Sequence, residues 1–482
     1  MPPRRPSPPA GDMVSGEPGV MTQGDPPFVP EDPRLLWLFG LNRFGMRPGL
    51  ERVEALLAEL GRPERALRTV IVAGTNGKGS TTRMLAALLS AAGQRVACFT
   101  SPHLLSVHER LEIDGQPCAP DLFFETAQRL RPAVERHGAS WFETLTAMAL
   151  DICRRAEVEL LCCEAGLGGR LDASNALPAV ATLITGVGLD HQEILGETLE
   201  AIAAEKLGLL KAHAPLFCAV PAQLKPQVFA AAVTAGTRAW FLDEQATVAE
   251  RPDGTWDLIT RRRATCGLPP LAAPWLRQNA ALALLCLEEL ADGGVVRKPA
   301  DPAVALAAAF LPGRHQLVLA RPDWIFDTAH NGQALRASLA TFLARPGGGR
   351  RLVLFGSLRE KSLDEGVGEL LRRCDRVVAA PPCLPRARDA QELAALLRSW
   401  GVGETTGPEV VSSVAEGLAR LASGLRPDDA VLVTGSGFLV AEALWRLGYR
   451  DVRQTRAPRP AVEVLRELPG AAGGPTVERE AR

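Results

Sequence analysis

At 482 residues, with 54 Lys and Arg against 55 Asp and Glu and a formal charge of -1, the chain exceeds what one hydrophobic core ordinarily organises, so two domains are expected. The even charge balance excludes a global attraction for nucleic acid or an anionic membrane, and any anion must be met locally. No apolar run approaches the roughly 18 to 20 residues that span a bilayer, and the start lacks the apolar block of a signal peptide, which predicts a cytoplasmic protein without membrane partners.

Residues 1–30 are rich in Pro and Gly with few large apolar side chains, the composition of a disordered tail. From Leu35 onward, helical and strand-like patterns alternate, predicting α/β architecture with parallel sheets covered by helices. Strands are expected at Thr69–Ala73, Arg95–Phe99, Val158–Glu164, Val180–Gly186, Leu216–Val220, Trp324–Asp327, Arg351–Phe355, Arg376–Ala379 and Ala430–Thr434. Several are unbroken apolar runs, as strands buried on both faces must be. Helices are expected at Leu50–Leu60, Thr81–Ala92, Asp121–Arg136, Phe142–Arg155, Leu199–Leu210, Gln278–Leu290 and Gly332–Leu343. At Pro312-Gly313 a helix gives way to a new strand-helix series, which sets a boundary between residues 31–312 and 313–456; residues 457–482 return to Pro, Gly and charge and read as a flexible tail. Ten cysteines without a CxxC pair read as small buried residues in a reducing compartment.

The most specific stretch is "VIVAGTNGKGSTTRMLAALL". A strand ends at Ala73; Gly74, Thr75, Asn76, Gly77, Lys78, Gly79 and Ser80 follow, and a helix opens. Backbone N–H groups in such a turn converge on an anion, the helix N-terminus adds its dipole, and Lys78 adds a full charge. The stretch is a phosphate cradle, although Gly79 separates the lysine from the hydroxyl of Ser80, unlike G-x-x-x-x-G-K-[ST].

Further motifs occur in order: "FGLNRFGMRPGLERVEALLAELG" before the loop, then "FTSPHLLSVHERLEIDG", "CCEAGLGGRLDASNALP", "GLDHQEILGETLEAIAAEKLGLL", "LPGRHQLV" and "DTAHNGQA". Together they resemble the folylpolyglutamate synthase and dihydrofolate synthase family within the Mur ligases, over about Leu35 to Ala334 and more weakly to about Tyr449. The resemblance implies a large ATP-binding domain with a P-loop-type parallel sheet and a smaller Rossmann-like C-terminal α/β domain. It implies ATP as co-substrate, two Mg2+ ions, and small-molecule partners: L-glutamate with dihydropteroate or reduced folates. It also implies a monomer. Gly332 stands where the family usually has proline after "DTAHN", and Ser357 where alanine is common.

By this resemblance Ser101 and Glu164 are magnesium ligands and His191 contacts a second ion; read alone, they are equally a turn residue, a capping acid and a loop histidine. Lys206 matches a lysine that becomes carbamylated, against the ordinary reading of a solvated lysine on a helix. Asn279, Arg314, Asp327 and His330 are assigned to ATP. Amide, guanidinium and carboxylate suit a base edge, a phosphate and a ribose hydroxyl, while a helix-surface amide, a linker salt bridge and a strand-end cap are the bland counterparts. Ser140, Phe142 and Glu143 in "SWFETLTAMA", with Leu171, Asp172 and Ala173 in "RLDAS", match segments lining a dihydropteroate site; Phe142 suits ring stacking or helix core alike. Lys78, Lys206 and His191 are the expected catalytic residues. The expected reaction is ATP-dependent amide formation through an acyl phosphate, with another Mur-type amino-acid ligase or a P-loop ATPase switch as alternatives.

Overall fold

The computed structural model describes residues 32–41, 48–404 and 407–468. The expected tail at 1–30 and residues 42–47 of the first family-like segment lie outside them.

An eight-stranded sheet organises the first half. Its strands are β1 (Arg68–Ala73), β2 (Val96–Phe99), β3 (Leu111–Ile113), β4 (Gln116–Pro117), β5 (Leu160–Glu164), β6 (Ala179–Ile184), β7 (Leu216–Cys218) and β8 (Ala239–Phe241), in the order β4-β3-β2-β5-β1-β6-β7-β8. From β2 to β8 every pairing is parallel, and β3 and β4 add an antiparallel edge. Strand alternation explains the apolar runs. On β1, Ile71 and Ala73 face one core with helices Glu51–Glu59, Pro120–His137 and Trp141–Arg155, while Val70 and Val72 face another with helices Lys78–Ala91 and Pro274–Asp292. The adjacent Cys162 and Cys163 on β5 likewise point to opposite cores. Most cysteines are buried, but Cys266 and Cys383 are exposed, contrary to the sequence expectation.

A three-stranded antiparallel sheet, β9 (Ala246–Glu250), β10 (Trp256–Thr260) and β11 (Ala264–Leu268), escaped the sequence reading. Its strands are short and polar on one face, and the fully buried Trp256, Leu258 and Leu268 anchor it, Trp256 donating from Nε1 to Pro269 O at 2.9 Å.

The C-terminal sheet contains β12 (Gln316–Ala320), β13 (Asp323–Phe326), β14 (Arg351–Phe355), β15 (Arg376–Ala379), β16 (Glu409–Val410), β17 (Ala430–Thr434) and β18 (Arg459–Pro460), in the order β16-β15-β14-β17-β13-β12-β18. Trp324 and Phe326 pack into the core on one face and Ile325 into the core on the other. The flexible tail expected over 457–482 does not hold as far as residue 468, and residues 469–482 lie outside the described residues. Arg459–Pro460 pairs with β12, and the helix Ala461–Leu465 buries Ala461, Val464 and Leu465 in the C-terminal core. A Pro-rich beginning masked this short amphipathic turn.

Candidate active site

The carboxyl ends of both sheets face one cavity of about 1080 Å³ between the two halves of the chain, where open α/β sheets place their ligands. The glycine-rich loop forms its floor. The helix expected from Thr81 begins already at Lys78, because Gly77 (φ 84°) makes the left-handed turn that starts it. The space is equally restrictive: a Cβ on Gly77 would lie 2.5 Å from Asn279 Oδ1, and one on Gly74 2.0 Å from Thr185 Oγ1. Thr75 braces the loop, donating its N–H to Gly186 O at 2.9 Å and its hydroxyl to Gly188 O at 3.0 Å.

Lys78 curls back over this loop and donates to Gly74 O at 3.1 Å and Thr75 O at 3.3 Å. Burial lowers its pKa, opposed by the Glu164 and Asp190 carboxylates. Glu164, at the end of β5, is raised by burial, with Lys78 and the Ser101 N–H acting the other way. Ser101 N–H donates to Glu164 Oε2 at 2.8 Å, and both residues line the cavity. Among the described residues no group of three His, Cys, Asp or Glu could hold a metal. A buried carboxylate plus a hydroxyl beside a phosphate cradle is nevertheless a donor set that suits magnesium, which keeps few protein contacts.

Lys206, on the helix Leu199–Leu207, is only 3 % exposed, and burial, followed by the positive charge of Lys78, brings its pKa down to about 7. Asn279 on Pro274–Asp292 is buried with Nδ2 unpartnered among the described residues, a donor awaiting an acceptor in the cavity. Asp327, past the end of β13, accepts from His315 N–H at 2.7 Å and Ala329 N–H at 2.9 Å, and burial raises it. His191, Arg314 and His330 complete the lining.

The loop residues Gly74 to Ser80, with Ser101, Glu164, His191, Lys206, Asn279, Arg314, Asp327 and His330, thus converge on one cavity. The six residues expected at the pterin site do not line it. Ser140 and Glu143 form a capping box at the start of Trp141–Arg155, Ser140 N–H donating to Glu143 Oε2 at 2.7 Å, and Arg52 pairs with Glu143 at 3.0 Å. Phe142 packs 5.8 Å from Phe99 and so close to Gly166 that a Cβ there would meet its ring at 2.8 Å. Asp172 is buried, accepting from Leu167 N–H at 2.8 Å and from Ser174 N–H at 3.0 Å and Oγ at 2.6 Å. Phe142 and Asp172 therefore shape the Gly166–Gly168 loop, which does line the cavity. Leu171 is exposed and Ala173 buried.

Asp190, Asn331, Gln333 and Lys361 have no role legible in their local sequence. Asp190 stands in the quoted "GLDH" and Asn331 and Gln333 in "DTAHNGQA", but only the tertiary structure brings them together.

Two family models match, the Mur ligase middle domain over residues 72–251 and the Mur ligase glutamate ligase domain over residues 313–437. The chain is 30% identical over 435 residues to the dihydrofolate synthase/folylpolyglutamate synthase of Bacillus subtilis, spanning 85% of this chain and 97% of that protein. It resembles the structure of E. coli FolC in complex with DHPP and ADP, with a TM-score of 0.77 and 30% identity over 86% of this chain and 97% of that one. It is equally similar to a bifunctional folylpolyglutamate synthase/dihydrofolate synthase with Mn, AMPPNP and L-glutamate bound, with a TM-score of 0.76 and 31% identity over 87% of this chain and 99% of that one. With this coverage at both sequence and structural level, the chain belongs to the dihydrofolate synthase/folylpolyglutamate synthase family, built from Mur ligase domains.

Proposed function

We propose that this protein is an ATP-dependent ligase that joins L-glutamate to dihydropteroate, to reduced folates, or to both. The observation that carries the reading is the cavity between the domains, where a phosphate-binding loop with its lysine meets a buried carboxylate and a buried, easily neutralised lysine.

A carboxylate is a poor acylating agent, so its oxygen must become part of a leaving group. The substrate carboxylate oxygen attacks the γ-phosphorus of ATP and ADP departs, giving an acyl phosphate. The α-amine of glutamate then attacks the acyl carbon, phosphate leaves, and the amine surrenders a proton. The work of the protein is positioning and charge neutralisation. The Gly74–Ser80 amides hold the β- and γ-phosphates, and Lys78 offsets charge developing on the transferred group. Asn279 receives the base, Arg314 a phosphate and Asp327 the ribose. Ser101 and Glu164 would hold one magnesium ion and His191 a second; bound there, magnesium would neutralise phosphate charge. Neutral Lys206 would add to carbon dioxide, forming an N–C bond and releasing a proton, and the resulting carbamate would offer the cavity a further anionic oxygen donor. Water must be kept from the acyl phosphate, and the Gly166–Gly168 loop lines the cavity in which it would form. The reading includes a monomer acting in the cytoplasm on small molecules; among the described residues no helix is long and apolar enough to cross a membrane.

The decisive assay follows ATP consumption by the purified protein while glutamate, dihydropteroate and tetrahydrofolate are omitted in turn. Turnover should require glutamate and one acceptor. Turnover indifferent to all three would overturn the ligase reading in favour of an ATPase.

A further inference from the structure

A continuous polar network crosses from the phosphate loop into the C-terminal domain, beyond the residues assigned above to phosphate and metal. Asn331 Nδ2 donates to Asn76 Oδ1 at 3.0 Å, within the phosphate loop itself, and to Asp190 Oδ2 at 3.0 Å. Asn76 Nδ2 in turn donates to Gln333 Oε1 at 3.3 Å. The Lys361 ammonium reaches the other oxygen of Asp190 at 2.8 Å and lies 3.1 Å from His191 Nε2. Asn331 and Lys361 are buried, at 2 % and 6 % exposure. Asn331 Oδ1 also accepts from Ala334 N–H at 2.9 Å, capping the helix Gly332–Leu343. One end of that C-terminal helix is thereby hydrogen-bonded to the loop expected to wrap the polyphosphate.

A buried ion pair is costly to break singly, and hydrogen bonds in such a network support one another. A displacement of Asn76 is therefore felt at Asn331, at the helix start and at the Asp190–Lys361 pair. We propose that Asn331, Gln333 and Lys361 are positioning residues that clasp the C-terminal domain onto the phosphate loop, coupling nucleotide occupancy to glutamate binding. The proposal rests on the ligase reading, but it concerns coupling rather than binding.

The test is a thermodynamic cycle on the full chain by calorimetry: the affinity for AMPPNP with and without saturating L-glutamate, in the wild type, Lys361→Met, Lys361→Arg and Gln333→Ala. The wild type is expected to bind AMPPNP at least about fivefold more tightly with glutamate present, the lower range of usual coupling free energies. Lys361→Met should bring that factor close to one while AMPPNP affinity alone changes less than about threefold, and Lys361→Arg should restore part of it. Amide hydrogen exchange across 74–80 and 329–335 should quicken in Lys361→Met without ligand. Gln333→Ala, whose side chain is exposed, answers the same question should Lys361→Met fail to fold, with a factor reduced at least about twofold. A coupling factor unchanged in a folded Lys361→Met, or in Gln333→Ala where the first variant does not fold, overturns the clasp. Absence of AMPPNP binding in the wild type would instead overturn the ligase reading.

Discussion

Replacing Gly77 by alanine tests the phosphate cradle at its tightest point. Two costs follow from the structure. At φ 84° an L-residue incurs about 1–2 kcal/mol of left-handed strain. The new Cβ would also lie 2.5 Å from Asn279 Oδ1 and 3.0 Å from its Nδ2. Asn279 belongs to the buried helix Pro274–Asp292 and cannot retreat freely, so overpacking adds about 1–3 kcal/mol. The loop escapes both costs by leaving the geometry that cradles phosphate. If about 2 kcal/mol of the total is recovered in that way, nucleotide affinity falls about thirtyfold. Gly93→Ala is the control: its φ is 75°, but nothing lies within 4 Å of the added Cβ. It should cost about 1 kcal/mol of stability and leave AMPPNP affinity unchanged. Calorimetry and thermal denaturation of both variants supply the comparison. Gly77→Ala binding AMPPNP within threefold of wild type would refute the argument that this glycine shapes the cradle.

Lys206→Ala should abolish ligation, and short carboxylates such as acetate should restore part of it; full activity without them would reject the carbamate. Because the folded-state pKa of Lys206 is lowered from 10.5 to about 7, the unfolded chain binds the extra proton between those values. Wild-type stability relative to Lys206→Met should therefore rise as pH increases from 7 towards 10 in carbon-dioxide-free buffer, measured by denaturant titration, and a flat difference would contradict the burial of this amine. Glu164→Gln keeps shape but removes the carboxylate charge, so the enhancement of AMPPNP binding by Mg2+ should drop at least about tenfold, roughly the cost of losing a charged partner. Ser140→Ala removes a helix cap and should cost about 1 kcal/mol of stability with KM for dihydropteroate unchanged; a large KM effect without destabilisation would instead make Ser140 a substrate contact.

The strands that carry the site were legible because β1, β5, β14 and β17 are buried on both faces and read as apolar runs. Polar, half-exposed strands such as β9 to β11 offered no such run, and β18 was hidden by its proline. Ser140 and Asp172 show a second limit. Their motifs were visible, but that the serine caps a helix and the carboxylate braces a loop shows only in the hydrogen bonds to Glu143 and Ser174.

What the amino-acid sequence determined by itself is local: a glycine-rich turn between a buried strand and a helix, with a lysine and a left-handed glycine, makes an anion cradle through neighbouring backbone groups. The tertiary structure decided everything that depends on distant segments meeting. Asn279 above the loop, the buried amine of Lys206, and Asn331 and Lys361 reaching Asn76 and Asp190 from the other domain all lie far from the cradle along the chain. Burial and interdomain contact, which set the pKa values and the clasp, exist only once both sheets turn their carboxyl ends to the same cavity.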